Sequence, residues 1–234
     1  MSSKLIVALD VENIEIAENL VNSLITYAHI YKIGSYLFTA KGPEVIKMIY
    51  QKKGKVFLDL KYHDIPSTVA NAVRAATKHR IWGMTVHTTG GFDMLKAAVK
   101  AAHDTAKELE IERPLILGVT VLTSLKEKDL DEIGINREVE KQVKRLAIMA
   151  KNAGLDGVVA SAREIELVRK NCGDDFIIAT PGIRPKDAAC DDQKRVLTAQ
   201  EAIAKGSNYL IVGRPITKAS DPVEATKKLL GEIQ

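Results

Sequence analysis

The chain has 234 residues, 46% of them hydrophobic and 27% charged, with 34 Lys and Arg against 30 Asp and Glu. That is the make-up of a globular protein with one large core. The basic excess is spread along the chain with no basic block, which argues against nucleic acid as a partner, and no apolar run reaches the ~20 residues of a membrane span. Cys172 and Cys190 sit in polar segments without metal or redox spacing. They read as free thiols in a reducing cytosol, with a single disulfide as the alternative. The first apolar run begins at Leu5, so no signal peptide is expected.

Short β-rich runs alternate with longer amphipathic ones. Taken in chain order, strands are expected at 4–9, 29–33, 55–60, 83–87, 115–120, 157–160, 176–179 and 209–212. Helical patterns fall at 12–26, 42–50, 67–79, 92–110, 137–152, 162–171, 198–204 and 222–233. Eight strand–helix alternations predict a parallel sheet with helices outside, and eight is the number that closes a barrel. An open doubly wound sheet is the alternative, but the first turn, Leu9-Asp10-Val11-Glu12-Asn13, has no glycine and lacks the dinucleotide fingerprint. The expected fold is α/β, a single (β/α)8 TIM barrel over residues 1–234, with no Pro-, Gly- or Ser-rich linker. Two polar connections are longer than a barrel needs. That at 122–136 reads as a solvated insertion; that at 184–196, with Gln193 and flanking arginines, reads as a mobile lid.

In a parallel barrel every strand's carboxyl end meets one rim, where such folds build their sites. The third strand runs into Asp59-Leu60-Lys61-Tyr62-His63-Asp64-Ile65-Pro66. Alternation puts Asp59 and Lys61 on one face and Leu58 and Leu60 on the other. Ile65 precedes a proline and resists helical geometry, while Pro66 suits a first helical position. Asp64 therefore falls in the strand–helix connection. On its own the triplet reads equally as surface ion pairing with a helix cap or as a reactive charge array.

Other strand ends add chemistry at the same rim: Asp10, Lys32, His87, Thr123, Thr180 to Arg184, and Gly213-Arg214. Asp10 taken alone reads more readily as the opening of the first helix, Lys32 as a snorkelling lysine, His87 as a satisfied histidine and Thr123 as a turn residue. No second His or Cys stands at ligand spacing, so no metal site is expected. Gly213-Arg214 is more specific, because anion sites recur after the seventh and eighth strands of this fold. Glycine admits close backbone approach, and arginine supplies a two-pronged donor. Arg184 would add a second cation.

With these residues assembled, the chain closely resembles the orotidine 5′-monophosphate decarboxylases of bacterial type. The resemblance spans essentially the whole chain. It is carried by Asp59 through Thr68, with Ala8-Leu9-Asp10, Tyr31-Lys32-Ile33-Gly34, Val121-Leu122-Thr123-Ser124, Thr180 through Pro185, Asp192-Gln193 and Val212-Gly213-Arg214-Pro215. It implies an enzyme, in this family usually a homodimer, that converts orotidine 5′-monophosphate to UMP and carbon dioxide with no metal or organic cofactor; the cysteine reading adds the expectation of a cytoplasmic location. By position it implies that Lys61 protonates the ring carbon and that Asp59 lies beside the substrate carboxylate. Asp10 and Lys32 would hold the ribose, and Thr123 would meet the pyrimidine. Arg184, Gln193, Gly213 and Arg214 would hold the phosphate. Asp64 and Thr68 would reach into the partner subunit's site. The nearest rival is a sugar-phosphate enzyme with a similar Asp-x-Lys-x-x-Asp strand and a divalent metal; a barrel that binds nucleotide without turnover is a second.

Overall fold

The computed structural model of the protein describes residues 4–183 and 197–233. Eight parallel strands close into a barrel in sequence order, with β8 pairing back to β1. The first half runs β1 (Leu5–Ala8), α1 (Ile14–Leu24), β2 (Ile30–Gly34), α2 (Ser35–Lys41), α3 (Glu44–Gln51), β3 (Lys55–Tyr62), α4 (Pro66–Lys78), β4 (Gly83–His87) and α5 (Phe92–Glu108). The second half runs β5 (Leu115–Val119), α6 (Glu127–Glu132), α7 (Val139–Asn152), β6 (Gly157–Val159), α8 (Ile165–Cys172), β7 (Ile177–Pro181), α9 (Ala199–Ala204), β8 (Tyr209–Val212), α10 (Arg214–Thr217) and α11 (Pro222–Gly231).

All eight strands lie where the apolar runs place them, to within two residues at each end. Three short helices depart from the sequence reading: α2, α6 and α10. Each has too few turns for periodicity alone to mark it, although α9, equally short, lies where a helix is expected. The N-cap of α2 is Gly34, which has no side chain to signal the start; Gly42, at φ 60°, ends the helix. The expected solvated insertion at 122–136 contains α6, most of whose side chains are exposed. The lid expected at 184–196 lies outside the described residues, as does Cys190. Cys172 is a buried free thiol, which burial pushes up from its usual pKa. Among the described residues no helix is long and apolar enough to cross a membrane.

Strand alternation sorts the core into two layers. On β1, Leu5 and Val7, continued by Leu9, face the helices, while Ile6 and Ala8 face the barrel axis. On β2, Tyr31 and Ile33 face out and Ile30 faces in. On β3, Val56 and Leu58 face out and Phe57 faces in. The amino-terminal end of the barrel is closed by aromatic rings packed edge to face. Trp82 lies 5.9 Å from Phe57 and 5.0 Å from Tyr209, centroid to centroid. Such packing buries large apolar area at that end.

Candidate active site

Register determines which inward residues meet at the carboxyl end. Ala8 pairs with Lys32, Lys32 with Phe57, and Gly34 with Asp59. Asp10 is two residues beyond Ala8, so Asp10, Gly34 and Asp59 form one layer above the apolar axis, and the Lys32 side chain rises into it. Gly34 makes that layer possible. A Cβ there would stand 2.9 Å from Asp10 Oδ1 and 3.2 Å from Lys32 Nζ, so both side chains would have to shift.

The result is a chain of alternating charge. Lys32 Nζ lies 3.1 Å from Asp10 Oδ1 and 3.5 Å from Asp59 Oδ2. Lys61 Nζ lies 3.0 Å from Asp59 Oδ1, and Thr85 Oγ1 donates to the same oxygen at 2.9 Å. Asp59 and Lys32 are both buried. Burial alone would raise the Asp59 pKa, but Lys32, Lys61 and the Thr85 hydroxyl outweigh it and hold the carboxyl below its usual value. Asp59 is therefore a carboxylate at neutral pH. The side chain of Lys61 is 36% exposed and opens onto the cavity.

Lys61 reaches that position through an unusual backbone. Its φ is 52°, in the left-handed region that residues with a Cβ seldom adopt. The β3–β4 register is regular to Leu58–Met84 and resumes at Tyr62–Val86, so three residues of β3 face the single Thr85. This bulge takes the Lys61 amide out of the ladder, and the amide donates instead to Thr85 Oγ1 at 2.9 Å. Bulges of this kind re-aim side chains next to sites.

The charge chain lines a cavity of about 330 Å³. Val119, Val121, Val159, Ile183 and Ile211 form an apolar wall, while Thr123, Gly213 and Arg214 complete the rim. One side is thus apolar, and the other carries fixed charges.

Most sequence-expected residues therefore converge: Asp10, Lys32, Asp59, Lys61, Thr123, Gly213 and Arg214 all line this cavity. Asp10 does not open the first helix; Asn13 caps α1, its Oδ1 accepting from Ile16 N at 2.9 Å. Lys32 does not snorkel to solvent. Asp64 and Thr68 are exposed, and neither is among the cavity's lining residues. Asp64 Oδ1 accepts from Ile65 N at 2.6 Å, just before Pro66 starts α4. Arg184 and Gln193 lie outside the described residues. His87 is indeed satisfied: its Nδ1 lies 2.7 Å from Thr89 Oγ1, and its ring stacks on His63 at 5.4 Å. Among the described residues no group of three or more His, Cys, Asp or Glu is placed to hold a metal ion. Sequence reasoning missed Thr85 and gave Gly34 no role; their inward parity on β4 and β2 was the available signal.

Fold and cavity together define a (β/α)8 barrel with a charged cavity at its carboxyl rim. Residues 3–229 match the family described as orotidine 5′-phosphate decarboxylase / HUMPS, and the chain belongs to that family. Proteins named orotidine 5′-phosphate decarboxylase from Moorella thermoacetica and Legionella pneumophila are similar over nearly their full lengths. The first is 49% identical over 232 residues, 99% of this chain and 92% of the relative. The second is 46% identical over 233 residues, 100% of each. A solved structure of orotidine 5′-phosphate decarboxylase from Lactobacillus acidophilus superposes with a TM-score of 0.84 at 38% identity, covering 98% of each chain. An uncharacterized conserved protein from Geobacillus kaustophilus superposes at 0.87 with 32% identity, covering 98% of this chain and 100% of that one.

Proposed function

We propose that this protein decarboxylates orotidine 5′-monophosphate to UMP and carbon dioxide, the step that completes UMP synthesis, using no metal or organic cofactor. The observation that carries this reading is the Asp10–Lys32–Asp59–Lys61 chain set against an apolar wall in one cavity.

The chemistry needs such an array. When the bond from the ring carbon to the carboxylate breaks, its electron pair stays in the ring plane, where the π system cannot take it up. Stabilisation must then come from charge fixed in advance. Lys61 supplies an ammonium beside that carbon and passes it a proton, and the neutral amine regains one from solvent. Asp59 anchors the ammonium; at ~4 Å and an effective dielectric of about 20 a charge pair is worth roughly 4 kcal/mol before desolvation. The partly exposed Lys61 would be dried by the bound ring, which strengthens every charge interaction around it.

The remaining residues hold the nucleotide. Asp10 and Lys32 face the ribose hydroxyls, Thr123 the pyrimidine edge, and Gly213 and Arg214 the phosphate, joined by Arg184 and Gln193. Phosphate binding far from the reacting carbon helps to assemble the charged site. Asp64 and Thr68 act in the site of a second copy, so the active form is a cytoplasmic homodimer of catalytic barrels.

Loss of orotidine 5′-monophosphate, followed by its ultraviolet absorbance in excess EDTA, tests the reading. Full turnover in chelator is expected. Turnover abolished by EDTA and restored by a divalent cation would favour the sugar-phosphate class of chemistry instead.

A further inference from the structure

We propose that Thr85 is a positioning residue for the decarboxylation, fixing Asp59 and the Lys61 backbone relative to each other through one hydroxyl. The inference rests on the proposed function and concerns a residue that touches neither the ring nor the phosphate in that reading.

Its basis is the geometry of the β3 bulge. Thr85 is fully buried and stands alone opposite the span from Asp59 to Lys61. The Lys61 amide, displaced from the ladder, donates to Thr85 Oγ1 at 2.9 Å. That bond occupies an acceptor site on the hydroxyl and leaves its single proton for another partner. The nearest partner is Asp59 Oδ1, at 2.9 Å. The direction is therefore forced: amide to hydroxyl, hydroxyl to carboxylate.

Two consequences follow. The hydroxyl donates only to a carboxylate oxygen with a free lone pair, so it favours ionised Asp59, in keeping with the lowered pKa of that group. The same oxygen also receives the Lys61 ammonium at 3.0 Å. Asp59 Oδ1 thus closes a loop that starts at the Lys61 backbone and ends at the Lys61 side chain. A left-handed lysine inside a strand costs energy unless its surroundings hold it, and this loop holds the residue from both ends. Without the hydroxyl the amide loses its acceptor, the bulge loosens, and the ammonium is no longer held at one place above the cavity.

Thr85→Val keeps the shape and removes the hydroxyl; Thr85→Ser keeps the hydroxyl. Each is compared with the parent for kcat, KM, affinity for UMP by calorimetry, and melting temperature. The expected result for Thr85→Val is a fall in kcat of roughly 10–100-fold, the scale of a small misplacement of a reacting group. KM and UMP affinity stay within about 3-fold, and Thr85→Ser recovers most of kcat. Thr85→Cys, close in size with a weak donor, falls between and carries the test if the valine variant fails to fold. Parental kcat in folded Thr85→Val, or equal losses in Val and Ser, would overturn the inference. Lys61→Ala is run alongside. If it turns over normally the proposed function itself fails, whereas an inactive Lys61→Ala beside a fully active Thr85→Val sinks only the role of Thr85.

Discussion

Gly34 leaves the space that Asp10 uses: a Cβ on Gly34 would stand 2.9 Å from Asp10 Oδ1. The atoms in the way are ends of side chains, so Gly34→Ala is expected to fold with a melting temperature close to the parent's. The layer of charge would not survive unchanged, because Asp10 must move and Lys32 loses its 3.1 Å partner. KM for the nucleotide should rise by roughly tenfold, about 1.4 kcal/mol of binding. Unchanged KM would show that Asp10 does not hold substrate.

Gly157 has the opposite character. A Cβ there would overlap the backbone carbonyl oxygen of Ile177 on the next strand and stand 2.6 Å from the Ile177 Cβ. Backbone in a closed barrel cannot swing aside, so Gly157→Ala should cost about 2–3 kcal/mol of stability. That corresponds to a fall of roughly 4–12 °C in melting temperature for a chain of this size. A melt identical to the parent's would show that β6 and β7 separate more easily than their pairing indicates.

His87 gives the fold a pH dependence with a definite sign. Burial lowers its pKa from the usual 6.5, and His63 and Lys61 lower it further. As pH falls the unfolded chain takes up this proton before the folded one. The stability His87 contributes is complete above about pH 6.5 and is lost as pH falls towards its folded pKa. Between roughly pH 7.5 and 5 the parent should therefore lose melting temperature faster than His87→Asn. Parallel slopes for the two proteins would contradict this.

Arg214 sits at the cavity rim beside Gly213. If it pairs with phosphate, Arg214→Ala should weaken UMP by at least about tenfold and leave uridine nearly unaffected, since charge-assisted bonds to phosphate are the strong ones. Equal losses for both ligands, measured by calorimetry, would remove the assignment.

What the sequence disclosed and what it hid follow from the range of each interaction. The strands were legible because each is an apolar, β-branched run bounded by turn residues, and the rim residues because a parallel barrel brings every strand end to one face. Periodicity is a weak signal over so few turns: α2, α6 and α10 were hidden, while the equally short α9 was legible. The left-handed Lys61 was hidden because lysine does not advertise that conformation as glycine does. Thr85 was hidden for a different reason: an inward threonine on a strand is ordinary, and its partners Asp59 and Lys61 are 26 and 24 residues away. Register alone brings them together, and register is a property of the closed barrel.

Pre-arranged charge at the reacting carbon is tested most directly by kcat of Lys61→Ala at saturating orotidine 5′-monophosphate, with UMP binding and the melt confirming an intact barrel. A proton donor that also provides the cation should cost at least about 10³-fold in kcat when removed, with UMP still bound. A folded Lys61→Ala protein that keeps kcat within about tenfold of the parent would contradict the account, because a loss that small is within reach of mere repositioning.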